Sequence, residues 1–132
     1  MTIHPLALSL LPEAFAVCRF APGTPLPEWV QTDSFFSFSG TPEETSLVCS
    51  MISIPSDVKA DRGWRCFKIQ GPLPFSLVGV LNSVTVPLAQ AHISIFAVST
   101  YDTDYILIKE SVLPQALSIL TDAGHTILPE IS

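Results

Sequence analysis

The chain has 132 residues, 12 of them acidic and 6 basic, and a formal net charge of −6 at pH 7. Since Lys and Arg are few and not clustered, nucleic acid and anionic membrane surfaces are excluded as expected partners. An apolar fraction of 48% with only 14% charged residues excludes a disordered chain and predicts one compact domain or two small ones.

The first segment of the chain, residues 1–17, has an apolar centre but no Lys or Arg ahead of it, so it does not fit a signal peptide. No apolar run reaches the roughly 18 residues that a membrane helix needs. The three cysteines lie far apart among apolar neighbours, which predicts buried thiols in a reducing cytoplasm. Neither a Cys-x-x-Cys motif nor a metal-binding histidine spacing occurs, so we expect no metal and no cofactor.

The first half of the chain predicts short strands with irregular connections. The strand-like stretches are "LALSLL", "AFAVCRF", "SFFSFS" and "TSLVCSMISI". "PLPEWV" fits one helical turn, and "PSDVKADRG" fits a polar connector. "TPEE" at 41–44 has the spacing of a capping box, but the residues after it favour a strand, so we interpret it as a turn.

The second half predicts the order β-α-β-β-α-β of a ferredoxin-like unit. "WRCFKIQG" is a strand. Apolar residues at helical spacing from Phe75 to Leu88 predict a helix that includes Gly79. Two strands, 93–99 and 104–109, follow. The second helix has Ser111 as its expected cap, Pro114 in its first turn and Gly124 at its end, and "HTILPEI" closes with a strand.

Asp102 and Asp104 stand two residues apart between two predicted strands, where they fit a solvated turn, a metal site, catalytic acids or a receptor for a positively charged ligand group. Gly71 in "GPLPFS" lets a ligand approach the backbone closely. Pro87 lacks an N–H, so the carbonyl of Ser83 loses its helical donor and becomes a candidate acceptor for an ammonium group. Asp104 or Asp102 can supply a carboxylate. Either aspartate also fits a solvated turn.

The stretch "GPLPFSLVGVLNSVTVPLAQAHISIFAVSTYDTDYILIKE" resembles the second of two tandem ACT domains in small bacterial proteins and in CASTOR-type arginine sensors. "FFSFSGTPEETSLVC" and "LALSLLPEAFAVCRFAPG" resemble the first ACT repeat of the same family. The resemblance implies an α+β fold with two tandem ACT-like (ferredoxin-like βαββαβ) units, an antiparallel sheet and helices packed on one face. The expected domains are 1–62, a degenerate N-terminal unit, and 63–132, a C-terminal unit.

The resemblance also implies a ligand site. The segment that matches "NSVTVP" touches the ligand in the arginine sensors, which implies roles for Ser83 and Val84. In the same family, an Asp that follows a Ser-Thr-aromatic run also contacts the ligand, which implies ligand-binding roles for Thr100, Tyr101 and Asp104. With the helix start at Gly71 and Phe75, these residues form the expected site. Because this chain has two ACT units and the sensors have four, an equivalent seam between units requires a homodimer.

Three functions remain open at this stage. The first is a non-enzymatic, allosteric regulatory module that binds an amino acid or similar zwitterion. The second is a structural or interaction protein that dimerises or docks onto a partner enzyme of amino-acid metabolism without a ligand. The third is an enzyme, which we do not expect, because the sequence has no catalytic triad order, zinc spacing or glycine-rich phosphate loop.

Overall fold

The computed structural model describes residues 5–71 and 79–129. Its elements in chain order are β1 (Ala7–Phe20), β2 (Ser37–Gly40), β3 (Thr45–Ser50), β4 (Ala60–Ile69), α1 (Val80–Gln90), β5 (Phe96–Ser99), β6 (Asp104–Lys109), α2 (Leu113–Asp122) and β7 (Thr126–Leu128). Short 3-10 turns follow β3 at Met51–Ser53 and β6 at Glu110–Val112. Neither α-helix of the described ranges has the length and apolar character that crossing a membrane requires.

The chain divides into two compact units, which are described separately. The larger unit comprises Met1–Pro12 and Arg65–Ser132, and the smaller unit comprises Glu13–Trp64. Strands β1 and β4 each contribute residues to both units, since the divisions fall after Pro12 and after Trp64. The division of the chain into ACT domains at 1–62 and 63–132 stays a prediction.

In the larger unit, β4, α1, β5, β6, α2 and β7 follow one another in the β-α-β-β-α-β order that the sequence predicts. The start of β1 adds a strand that the sequence did not predict in this place. It pairs with β7 in parallel, Ala7 opposite Thr126, and it neighbours β4, where the Gln70 N–H donates to the Ala7 carbonyl at 2.9 Å. Beyond β4 come β6 and then β5, with β5 and β6 antiparallel.

Both helices pack on one face of this sheet. The core combines alternate strand residues with helix residues spaced by four, as a two-residue strand period and a 3.6-residue helix period require. Its buried members are Leu8, Leu10, Phe67, Ile69, Val80, Val84, Leu88, Ile93, Ile106, Ile108, Ala116 and Leu120. The larger unit is therefore a two-layer α+β structure with its helices on one side.

The ends of the helices correct two expectations. Gly79 is not inside α1 but is its N-cap, with a φ of 83°, a left-handed conformation that glycine adopts without strain. The predicted helix start at Phe75 lies outside the described residues. Ser111 does not cap α2, because it lies in the preceding 3-10 turn and Val112 occupies the cap position without a side-chain bond. Pro114 in the first turn and Gly124 after the helix are as predicted.

In the smaller unit, β3 pairs antiparallel with β2 and with the second half of β1. "TPEE" is a turn, as predicted: the Thr41 Oγ1 accepts from the N–H groups of Glu43 and Glu44 at 3.2 and 3.1 Å. The strands "LALSLL" and "AFAVCRF" are one strand, β1, that continues through Pro12. Residues 13–64 are all described and contain no α-helix, so a second βαββαβ unit is not confirmed.

Two thiols lie together in the core of the smaller unit. Cys18 on β1 and Cys49 on β3 are both fully buried, and their side chains are hydrogen-bonded. Burial raises the pKa of both thiols, and it raises that of Cys49 to about 12, with the Cys18 thiol adding to the shift. The thiols are therefore protonated at neutral pH and are poor nucleophiles, in agreement with the structural role that the sequence predicts.

This raised pKa predicts a loss of stability in alkali. The unfolded Cys49 thiol ionises near its ordinary value, whereas the folded one holds its proton up to about pH 12. The stabilisation is complete below the unfolded pKa and is lost as the pH rises toward the folded one, at about 1.4 kcal/mol per pH unit. In urea titrations with a reductant, the free energy of unfolding of C49A should fall less steeply with pH than that of wild type, by that amount, between about pH 9.5 and 11. Equal slopes would contradict the prediction, because Lys and Tyr titration cancels in the difference.

Candidate functional site

The candidate site lies in the larger unit, at the end of the sheet where β5 turns into β6. The turn is closed by the Thr100 N–H, which donates to the Thr103 carbonyl at 2.8 Å. The Thr100 hydroxyl donates to the same carbonyl at 3.1 Å and accepts from the Thr103 N–H at 3.4 Å. These bonds hold a tight turn, and Tyr101 at its tip is 83% exposed.

Asp104 begins β6 directly after this turn and is only partly exposed. It lies opposite Ser99 in the β5–β6 register, and the Ser99 hydroxyl donates to its Oδ1. It shares its strand face with Ile106 and Ile108, which pack beneath the helices. The carboxylate is therefore oriented by a neighbour at the edge of the helix layer, whereas Asp102 is exposed in the turn.

The negative charge of this turn comes from its two aspartates. Tyr105, next along β6, has its pKa raised, first by burial and then by the Cys66 thiol and Asp102. Its phenol therefore stays neutral, and the local field favours a cationic group.

Gly71 is exposed in a bend just after β4 ends at Ile69. The Thr103 hydroxyl donates to the Ile69 carbonyl at 2.6 Å, which joins the β5–β6 turn to the end of β4. The structure thus brings Gly71, Thr100, Tyr101 and Asp104 to one end of the sheet. Phe75 lies outside the described residues.

Ser83 and Val84 lie in the first turns of α1 but face the core. Val84 is fully buried, and Ser83 is 1% exposed, with its hydroxyl donating to the Gly79 carbonyl at 3.0 Å. Contact between a ligand and these side chains would need the core to open.

His125, which directly precedes β7, lies 2.7 Å from the Ser83 carbonyl. Ala7 pairs with Thr126 of β7 and accepts from the Gln70 N–H, so the start of α1 lies at the same end of the larger unit as the β4 terminus.

The carbonyl of Ser83 is not the spare acceptor that the sequence suggested. His125 Nε2 lies 2.7 Å from it, and His125 Nδ1 accepts from the Leu6 N–H at 3.2 Å. These partners require the tautomer with its proton on Nε2, which donates to Ser83. His125 therefore supplies the hydrogen bond that Pro87 cannot, an assignment that sequence reasoning missed because the residues are 42 positions apart.

His92 and His125 each lie shortly after the end of a helix. The structure separates them. His92 is exposed, with a left-handed φ of 61°, whereas His125 is 3% exposed and bonded through both ring nitrogens. In the sequence, Pro87 is the feature that points to the buried histidine, because it leaves a helix carbonyl that needs another donor.

Two family models match the chain. An ACT domain model matches residues 59–122, which include the candidate site. A second model, described as an N-terminal domain, matches residues 13–57. The two matched ranges lie mainly in the larger and the smaller unit, respectively.

The chain is also similar in sequence or in structure to several known proteins. The chain is 31% identical over 107 residues to the bovine cytosolic arginine sensor for mTORC1 subunit 1, a match that covers 73% of this chain and 30% of that protein. The crystal structure of Agobacterium tumefaciens protein Atu0741 has a TM-score of 0.91 at 36% identity, covering 98% of this chain and 96% of that one. The regulatory subunit of aspartate kinase from Thermus thermophilus has a TM-score of 0.61 at 13% identity, covering 92% and 99%, which shows a shared fold. The chain spans less than two thirds of the curated relatives it matches.

Proposed function

Because the chain belongs to the family of Agobacterium tumefaciens protein Atu0741 and contains an ACT domain at residues 59–122, we propose that it is a non-enzymatic regulatory module that binds an amino acid or similar zwitterion. The arginine sensor and the aspartate kinase regulatory subunit are regulatory proteins by name, and both support this class of function.

The observation that carries the proposal is the oriented carboxylate of Asp104. A carboxylate that is partly withdrawn from water needs a partner, and in the structure the neutral hydroxyl of Ser99 donates to it. An α-ammonium group would add the opposite charge. A charge-assisted hydrogen bond of this kind contributes about 1.5–3 kcal/mol.

The α-carboxylate of the ligand goes to the connection between β4 and α1 in this proposal. Gly71 allows close approach to the backbone, and the N-terminal end of α1 carries a positive partial charge. The proposed site also includes Phe75, which lies in this connection in the sequence, and Ser83 and Val84, which lie in the first two turns of α1. For Ser83 and Val84 the contribution is to the position of the helix, since their side chains are buried.

We place the ligand at a seam between two copies of the chain. Tyr101 supports this geometry, because a tyrosine that is 83% exposed beside the proposed site offers a large surface for a second subunit. Ligand binding would then favour one homodimer geometry over another, which is the allosteric signal. A cytoplasmic partner enzyme of amino-acid metabolism is the proposed receiver of that signal.

A thermal-shift screen with the twenty L-amino acids tests the function. A ligand at 100 times its Kd stabilises the native state by about 2.7 kcal/mol, which corresponds to a rise in Tm of about 5–10 °C for a chain of this size. The N-acetyl and methyl-ester derivatives of any amino acid that shifts the Tm are the controls, and neither should do so. Sedimentation with and without that amino acid tests the homodimer. If no amino acid shifts the Tm, the sensor function is wrong.

The alternative is an interaction protein without a ligand. One feature favours it: α1, from Val80 to Gln90, contains no Asp, Glu, Lys or Arg, so its outward side is uncharged. A helix of this kind suits packing against a partner. A flat thermal-shift screen together with a dimer that persists on dilution would support this function over the first.

A further inference from the structure

A buried hydroxyl anchors the turn of the proposed site to its neighbouring strand. Thr103 is 4% exposed, and its Oγ1 donates to the Ile69 carbonyl at 2.6 Å. Buried hydroxyls are nearly always bonded, and most bonds of this kind are local. This one joins residues 34 positions apart, so it fixes one segment of the site against another.

The anchor lies between the two charged ends of the proposed ligand. Asp104, the proposed ammonium partner, directly follows Thr103, and Gly71 lies two residues beyond Ile69. The hydrogen bond is therefore made one residue from Asp104 and two residues from Gly71. Consecutive Cα atoms are about 3.8 Å apart, so both groups lie close to the bond. Any movement of Thr103 away from Ile69 therefore changes the separation of the groups that are to bind the ammonium and the carboxylate.

Other hydrogen bonds of the turn lie within the β5–β6 hairpin. The bonds between Thr100 and Thr103, and between Ser99 and Asp104, all connect residues of the same hairpin. They fix the shape of the turn. Strand pairing places β6 beside β4, and the Thr103 side chain extends that attachment into the turn. Thr103 precedes the first residue of β6 and is held to β4 by its side chain.

We propose that Thr103 is a positioning residue of the amino-acid site, which acts through Asp104 by holding the β5–β6 turn against the end of β4. The inference rests on the proposed function. It adds a residue whose hydroxyl touches no ligand and whose loss weakens ligand binding only while the Asp104 carboxylate is present. T103V keeps the size of the side chain and removes the hydroxyl, and T103S keeps the hydroxyl.

The anchor is tested first without a ligand, by amide hydrogen exchange. In T103V, exchange at the Thr100 N–H, which closes the turn, should be about fivefold faster, since one hydrogen bond is worth about 1 kcal/mol and a factor of ten corresponds to about 1.4 kcal/mol. T103S should exchange as wild type does. Equal protection in T103V and wild type would overturn the anchor and the proposal with it.

The second test measures Kd by calorimetry, with L-arginine and the other nineteen L-amino acids as probes. T103V should bind the active amino acid about tenfold more weakly, and T103S within about twofold of wild type. In a D104N background, T103V should cause no further loss, because its effect passes through the carboxylate. If wild type binds an amino acid and T103V binds it equally well, only the role of Thr103 is wrong. The same holds if the losses of affinity caused by T103V and D104N add in the double variant. If wild type binds none of the twenty, the proposed function fails as well.

Discussion

H125F is expected to lower the free energy of unfolding by about 2–4 kcal/mol. The phenyl ring keeps the approximate size of the imidazole but removes the acceptor for the Leu6 N–H and the donor to the Ser83 carbonyl. Each buried polar group that loses its partner costs about 1–3 kcal/mol. For Ser83 the helix offers no replacement, because the residue four positions later is Pro87. Urea denaturation at neutral pH measures the loss.

Three further variants separate the two bonds of His125 from the general effect of a histidine substitution. H125N keeps an acceptor near the position of Nδ1, and H125Q keeps a donor near that of Nε2, so each should lose about half as much stability as H125F. H92N is the matched control: His92 is exposed and has a left-handed φ that Asn tolerates, so its stability should change by less than about 0.5 kcal/mol. If H125F is as stable as H92N, the paired hydrogen bonds do not hold the fold.

Pro87 and His125 show how far the sequence could predict the site. The missing N–H of Pro87 is visible in the sequence, and so is its consequence, a helix carbonyl without its usual donor. What replaces the donor is decided by tertiary packing between residues 42 positions apart, which no local pattern encodes. The sequence therefore identifies the right carbonyl, but the donor that this carbonyl meets in the structure is His125.

The fold shows the same division between local and distant information. Hydrophobic periods of two and about 3.6 residues predicted the element order of the larger unit from β4 to β7. They could not place the start of β1 between β4 and β7, because strand pairing depends on contacts far apart in the chain. Gly79 lay inside an apolar helical period, and only its positive φ identifies it as the cap.

D104N should weaken binding of the amino acid that wild type recognises by about 10–100-fold. The substitution keeps the shape of the side chain and removes its charge, so it removes the charge-assisted part of a bond worth about 1.5–3 kcal/mol. The fold should change little, since the amide oxygen can still accept from the Ser99 hydroxyl. Calorimetry gives the Kd, and the melting temperature without ligand checks the fold.

D102N is the matched control, because it removes the same charge two residues away from an exposed position in the turn. Exposed charges act over distance only weakly at physiological salt, so its Kd should change by less than about threefold. Equal losses in D102N and D104N would show that the field of the turn attracts the ligand and that no direct contact with Asp104 exists. Unchanged binding in both would remove the carboxylate from the site. A loss confined to D104N would place a cationic group of the ligand against Asp104, since only that variant removes the charge at the proposed point of contact.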